Sequence, residues 1–164
     1  MKILAIDPGT TQSAYTVISA DTFAPCAFAK EDNDVVCQRM IDFCRTSEST
    51  PIVIIERLTS MGQRVGGEVF QTCEYVGYLT AYAQQNSASV YYITRKQEKM
   101  NLCNTMRCGD KEIRRALIER FAKFDKKNGK GTKKHPDWFY GFHADVWAAY
   151  AVGVTWLDLT KSAA

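Results

Sequence analysis

The chain has 164 residues, 46% hydrophobic and 12% aromatic, enough apolar material for one well-packed domain, here expected to span 1–164, and too little length for two large ones. No run of about 18 apolar residues is available to span a bilayer, and Met1-Lys2 leads straight into a strand pattern and not into a signal peptide's apolar region, so a soluble, cytoplasmic chain is expected. The net charge of +3 hides an asymmetry: residues 1–92 hold 6 Lys/Arg against 10 Asp/Glu and residues 93–137 hold 14 against 6, so the basic character is confined to one segment.

In chain order, Ile3 to Asp7 reads as a buried strand, with Ala14 to Ser19 and Phe23 to Ala29 as two more, joined by links of hairpin length. Asp34 to Arg45 spaces Val35, Val36, Met40, Ile41 and Cys44 as a helix, with Asn33 or Asp32 as cap. "PIVIIE", Pro51 to Glu56, is a continuous apolar run closed by a carboxylate, the pattern of a central parallel strand covered on both faces. After the loop "SMGQRVGG", Glu68 to Gln85 is a long helix and Val90 to Thr94 a strand. "MRCGDKEIRRALIERF" is a helix that Asp110 can cap, with Ile113, Leu117, Ile118 and Phe121 as its apolar stripe. "KFDKKNGKGTKKHPDWFYG" reads as a basic, glycine-containing loop unable to pack by itself, and "HADVWAAYAVGVTWLDL" as a final helix with a face able to lie against a sheet.

The six cysteines (Cys26, Cys37, Cys44, Cys73, Cys103, Cys108) are expected to be reduced thiols. Cys103 and Cys108 have a spacing seen in metal knuckles, but no second Cys or His pair follows at a matching distance, so no zinc site is expected.

This order describes an α/β fold: a mixed five-stranded sheet, an antiparallel meander extended by parallel strands, flanked by helices. Right-handed crossovers would bring the first and fourth strands together at the centre, with Asp7 and Glu56 at neighbouring strand ends, where open sheets place their ligand chemistry. A charge ending a buried strand is either the ordinary first residue of a turn, here before Pro8-Gly9, or one met by a cation. Two such carboxylates side by side need a shared cation or a shared proton. Asp145, opening an apolar helix beside alanines, is the candidate third acid; the bland reading is a charge favoured by the helix dipole.

"ILAIDPGTTQSAY", "VIIER" and "ADVWAAYAV" resemble, in the right order, the three acidic signatures of the RuvC-type Holliday junction resolvases of the ribonuclease H-like nuclease superfamily, in the small phage-type branch more than the bacterial housekeeping branch. The resemblance implies a homodimeric, structure-selective DNA endonuclease of recombination and repair, cutting four-way junctions symmetrically; a phage protein would act in the host cytoplasm. It makes Asp7, Glu56 and Asp145 ligands of catalytic Mg²⁺ or Mn²⁺, two ions about 4 Å apart that activate a water and stabilise the leaving 3′ oxygen. Lys111 falls where the family has a lysine opening a helix, and Lys99 near another; both would contact the scissile phosphate region.

Two positions depart from the family. Its fourth acid, three residues before the last Asp, is Phe142 here; His143 is either a replacement ligand and proton carrier or a plain surface histidine, and the former requires the helix to start at about Asp145. The base-prising aromatic three residues after the second acid is Thr59, so base insertion would need another side chain such as Met61. Arg107, Lys111, Arg114, Arg115, Lys126, Lys127, Lys130, Lys133 and Lys134 could line DNA phosphates, giving salt-dependent, sequence-blind affinity. Trp138, Phe139 and Tyr140 are divided between base stacking and core packing. The apolar helix Glu68 to Gln85 has surface to spare for a dimer interface matching the two-fold symmetry of a junction.

Three other readings share parts of this pattern. A phosphate loop of the actin and sugar-kinase type also resembles "IDPGTT", but needs a second glycine-rich loop and twice the length. A related nuclease acting on flaps, forks or RNA–DNA hybrids would carry the same acids, as would a catalytically silent junction-binding scaffold.

Overall fold

A computed structural model of the chain describes residues 1–59 and 66–163. β1 (Lys2–Asp7), β2 (Gln12–Ser19) and β3 (Pro25–Asp32) form the expected antiparallel meander. Helix α1 (Asn33–Thr46) crosses to β4 (Ile52–Arg57), which pairs parallel with β1, and α2 (Gly67–Gln85) crosses to β5 (Ser89–Thr94), parallel to β4. Three helices follow, α3 (Arg95–Cys103), α4 (Asp110–Phe121) and α5 (Val146–Ala163). The sheet order β3-β2-β1-β4-β5 makes the first and fourth strands neighbours at the centre, the arrangement that the element order predicts.

The central strand shows why a continuous apolar run was needed. Ile3 and Ala5 face a core shared with α5 and α4, while Leu4 and Ile6 face a second core under α1 and α2. All four are essentially inaccessible, and fully burying each larger side chain contributes about 1.5–3 kcal/mol. The same alternation turns Asp7 toward the α5 side.

Helix α5 lies close on β1 and β2 because Gly153 leaves room. A Cβ there would stand 2.4 Å from Ile18 Cδ1 and 3.0 Å from Ala5 Cβ. The isoleucine tip can rotate, but the alanine moves only with its strand. Gly153→Val is therefore expected to destabilise the protein by about 1–3 kcal/mol, read as a lower urea midpoint at unchanged slope; an unchanged midpoint would show that the helix-to-sheet contact is not tight.

Several local expectations change. Phe23 is not in β3: at φ 63 its N–H donates to the Ser19 carbonyl in a tight turn, and β3 starts two residues later. Asp32 holds the N-cap position of α1 without capping it, because its carboxylate accepts from Gln12. Asn33 is drawn instead to the β1–β2 turn, where its amide donates to the carbonyls of Gly9 and Thr10 and its oxygen accepts from Ser13. In that turn a Cβ on Gly9 would lie 2.2 Å from the Gln12 carbonyl oxygen, so the "PGT" chemistry is a steric requirement. Gly109, not Asp110, is the N-cap of α4, its N–H held by the Glu112 carboxylate at 2.9 Å. Helix α3 was not foreseen.

The basic segment also differs from a loop that cannot pack. The Asp137 carboxylate, 7% exposed, accepts the backbone N–H groups of Lys123, Phe124, Asp125 and Trp138 at 2.7–2.9 Å. Burial pushes against its charge, but those four donors outweigh it and hold the carboxyl well below the usual range. Asp125 gathers Asn128, Lys130 and Gly131 in the same way. Two carboxylates thus organise the loop that carries the lysines.

Candidate active site

Register sets the two central acids together. Ile6 pairs with Ile55 across parallel β1 and β4, so the next residues, Asp7 at the end of β1 and Glu56 one residue before the end of β4, lie side by side on the same face. Two carboxylates set side by side repel, which favours a proton or a cation between them. Burial first, then the bond to Glu56 and its charge, with smaller repulsion from Asp145 and Glu98, push Asp7 up to about 9.

Asp145 immediately precedes α5, its carbonyl accepting from Ala149 N in the first turn, after Ala144 at φ 40. Its carboxylate is 53% exposed and takes the Lys30 ammonium at 2.7 Å. Asp7, Glu56 and Asp145 line one open cleft of about 220 Å³, with Arg95, Asp110 and Arg114 among its other walls.

Arg95, Glu98 and Lys30 are site residues that the sequence reading missed. Glu98 is fully buried on α3; one carboxylate oxygen takes the Arg95 guanidinium at 2.7 Å and the other has no partner. Burial and the charge of Glu56 raise its carboxyl to about 8 against the opposing pull of Arg95. Arg95 also pairs with Asp110 at the start of α4. The signal for α3 was present: Thr94 and Gln97 form a reciprocal capping box.

The other expected site residues divide. Among the described residues, Arg114 is the one expected cation that lines the cleft, its guanidinium 4.4 Å from the Trp147 ring centroid. Lys111 is exposed in the first turn of α4, and Lys99 reaches the Met106 carbonyl at 3.5 Å. Arg115 pairs with Glu119, and Lys126 caps the C-terminal end of α4 through the carbonyls of Ala122 and Glu119. Arg107, Lys127, Lys133 and Lys134 are exposed, and Lys130 is partly so. Phe142 and Phe139 are fully buried, Trp138 donates to the Tyr150 hydroxyl, and Tyr140 is exposed.

His143 is not brought to the cleft. Helix α5 begins at Val146, within a residue of the start that this role required, but the exposed imidazole does not line the cleft and lies with Nδ1 3.0 Å from the Gly141 carbonyl. Thr59 is exposed; Met61 lies outside the described residues. All six cysteines are free.

Among the described residues, no three acids, histidines or cysteines stand close enough to hold a metal as they are placed, and Asp145 is bonded to Lys30. The chemistry of the donor set nevertheless fits a hard divalent cation. Asp7 and Glu56 offer only oxygen, their crowding is relieved by a shared positive charge, and Asp145 faces the same cleft.

A mixed sheet of order β3-β2-β1-β4-β5 flanked by five helices is a ribonuclease H-like fold. The chain superposes on Thermus thermophilus RuvC in complex with Holliday junction substrate at a TM-score of 0.71, with 14% identity, over 99% of this chain and 96% of that one. A second Thermus thermophilus RuvC structure gives 0.69 and 14% over 99% and 97%. Fowlpox virus resolvase, solved with its substrate Holliday junction DNA, gives 0.52 and 13% over 96% and 99%. No protein-family model matches the chain, and no curated protein matches it by sequence.

Proposed function

We propose that this protein is a metal-dependent, structure-selective DNA endonuclease that resolves four-way junctions by paired symmetric cuts. The observation that carries the reading is the placement of Asp7 and Glu56 side by side on adjacent central strands, in one cleft with Asp145. The RuvC-like fold supports it, since the superposed Thermus and fowlpox proteins were solved with junction DNA.

Asp7, Glu56 and Asp145 are the residues to hold Mg²⁺ or Mn²⁺. When bound, the cation supplies an activated water and charge stabilisation at the phosphorus. The chain supplies the rest. Arg114 and Arg95 face the cleft, where a guanidinium fork suits phosphate oxygens, and the buried Glu98 fixes the direction of Arg95. Exposed Arg107, Lys111, Lys127, Lys133 and Lys134 contribute sequence-blind contacts to the backbone, weakened by salt. A homodimer fits a two-fold junction, and α2 leaves Phe70 62% and Tyr78 48% exposed on the surface proposed for it.

The test is a panel of one sequence built as four-way junction, duplex, flap, fork and RNA–DNA hybrid, incubated with the protein in Mg²⁺ or Mn²⁺. Paired nicks at symmetric positions of the junction alone are expected. Cuts confined to another substrate would transfer the site to that substrate, and binding of the junction without cuts would identify a scaffold.

A further inference from the structure

Lys30 carries an interaction that the proposed reaction does not use. In the sheet register Asp7 is opposite Ala14 and Ala14 is opposite Lys30, so the acid and the lysine lie in one cross-strand row on one face. Two strand spacings, about 10 Å, separate their backbones. The intervening side chain is a fully buried alanine, low enough for a lysine stem to pass over. Phe28, two residues earlier on the same face of β3, packs its ring 4.6 Å from that of Phe142, which fixes this edge of the sheet against the entrance to α5. A lysine that served only to keep an edge strand soluble would extend into water. Lys30 instead is 30% exposed and bonds Asp145 at 2.7 Å.

We propose that Lys30 is the resident counter-cation of the acidic cleft: it holds Asp145 while no divalent cation is bound, and passes to a phosphate oxygen of bound DNA once a cation takes that carboxylate. The second half rests on the nuclease reading; the first does not. Displaced from Asp145, the ammonium keeps its position beside the cleft and meets the next anion to arrive, which is the DNA backbone. Lys30 thus competes with the metal and assists the substrate, and one substitution moves the two measurements in opposite directions.

The experiment is calorimetric titration of Mn²⁺ into the DNA-free protein for wild type, Lys30→Met, Asp145→Asn and the double variant, with thermal unfolding to verify folding. Lys30→Met is expected to tighten Mn²⁺ binding about three- to fivefold, the range of a partly exposed ion pair, and to have no such effect in the Asp145→Asn background. Single-turnover junction cleavage at saturating Mn²⁺ is expected to fall at least about tenfold in Lys30→Met, with Lys30→Arg recovering most of the rate. Tighter Mn²⁺ binding in a protein that cuts no junction would support the counter-cation role and sink the nuclease reading alone. Unchanged or weaker Mn²⁺ binding by folded Lys30→Met, in a wild type that binds Mn²⁺ and cuts junctions, overturns this proposal and leaves that reading intact. Absence of Mn²⁺ binding by every form overturns both.

Discussion

Asp7→Asn is expected to lower junction cleavage by about 10³-fold or more, equivalent to about 4 kcal/mol of lost transition-state stabilisation, while leaving junction binding within a fewfold. The amide keeps the shape of the strand end but gives up a charged oxygen donor in the cleft. The same change is expected to make the metal-free protein more stable. Burial and the neighbouring Glu56 hold the Asp7 carboxyl up to about 9, against 3.8 for an ordinary aspartate. The folded protein therefore binds this proton more tightly than the unfolded chain does. Its contribution to stability is complete below about pH 4 and is lost as pH rises toward 9. Glu98, raised to about 8, acts in the same direction. Metal-free wild type should lose melting temperature between pH 6 and pH 9 relative to Asp7→Asn, and at pH 8 the variant should melt several degrees higher. Equal slopes in the two proteins would show that the acids are not crowded.

Phe142→Asp, which puts a fourth acid three residues before Asp145, should unfold this protein instead of improving it. The Phe142 side chain is inaccessible, and its ring lies 4.6 Å from Phe28, 5.1 Å from Phe139, 5.2 Å from Trp147 and 5.5 Å from Tyr150. Removing a buried aromatic costs about 3–5 kcal/mol before any charge is considered. A carboxylate in its place would sit among four aromatic rings and adds a desolvation cost. Total stabilities are about 5–15 kcal/mol, so little or no folded protein should be recovered, as read by circular dichroism and chemical unfolding. Phe142→Leu should fold at modest cost. A folded Phe142→Asp with faster cleavage would mean that the aromatic cluster can open toward the cleft.

Both outcomes depend on features with unequal visibility in the sequence. The strands carrying Asp7 and Glu56 were legible because a central strand must be apolar on both faces, so a terminal charge stands out. Helix α3 escaped because its one buried side chain is Glu98; helices are usually read by an apolar stripe, and here the informative mark was the Thr94–Gln97 capping box. Asp32 and Asn33 looked like caps, but the β1–β2 turn competes for the same side chains and wins. His143 depends on where α5 starts, a boundary no pattern fixes to one residue. Lys30 was beyond reach of local reading, since only the pairing of three strands places it on the face of Asp7.

The central claim is that Asp7, Glu56 and Asp145 form one divalent-cation site. Its most direct test is anomalous diffraction from crystals of the protein soaked in Mn²⁺, with DNA absent. The account predicts a Mn²⁺ peak coordinated by carboxylate oxygens of Asp7 and Glu56, with Asp145 turned from Lys30 toward the metal. A clear peak elsewhere, or a fully occupied Asp7–Glu56 hydrogen bond at saturating Mn²⁺, would contradict it.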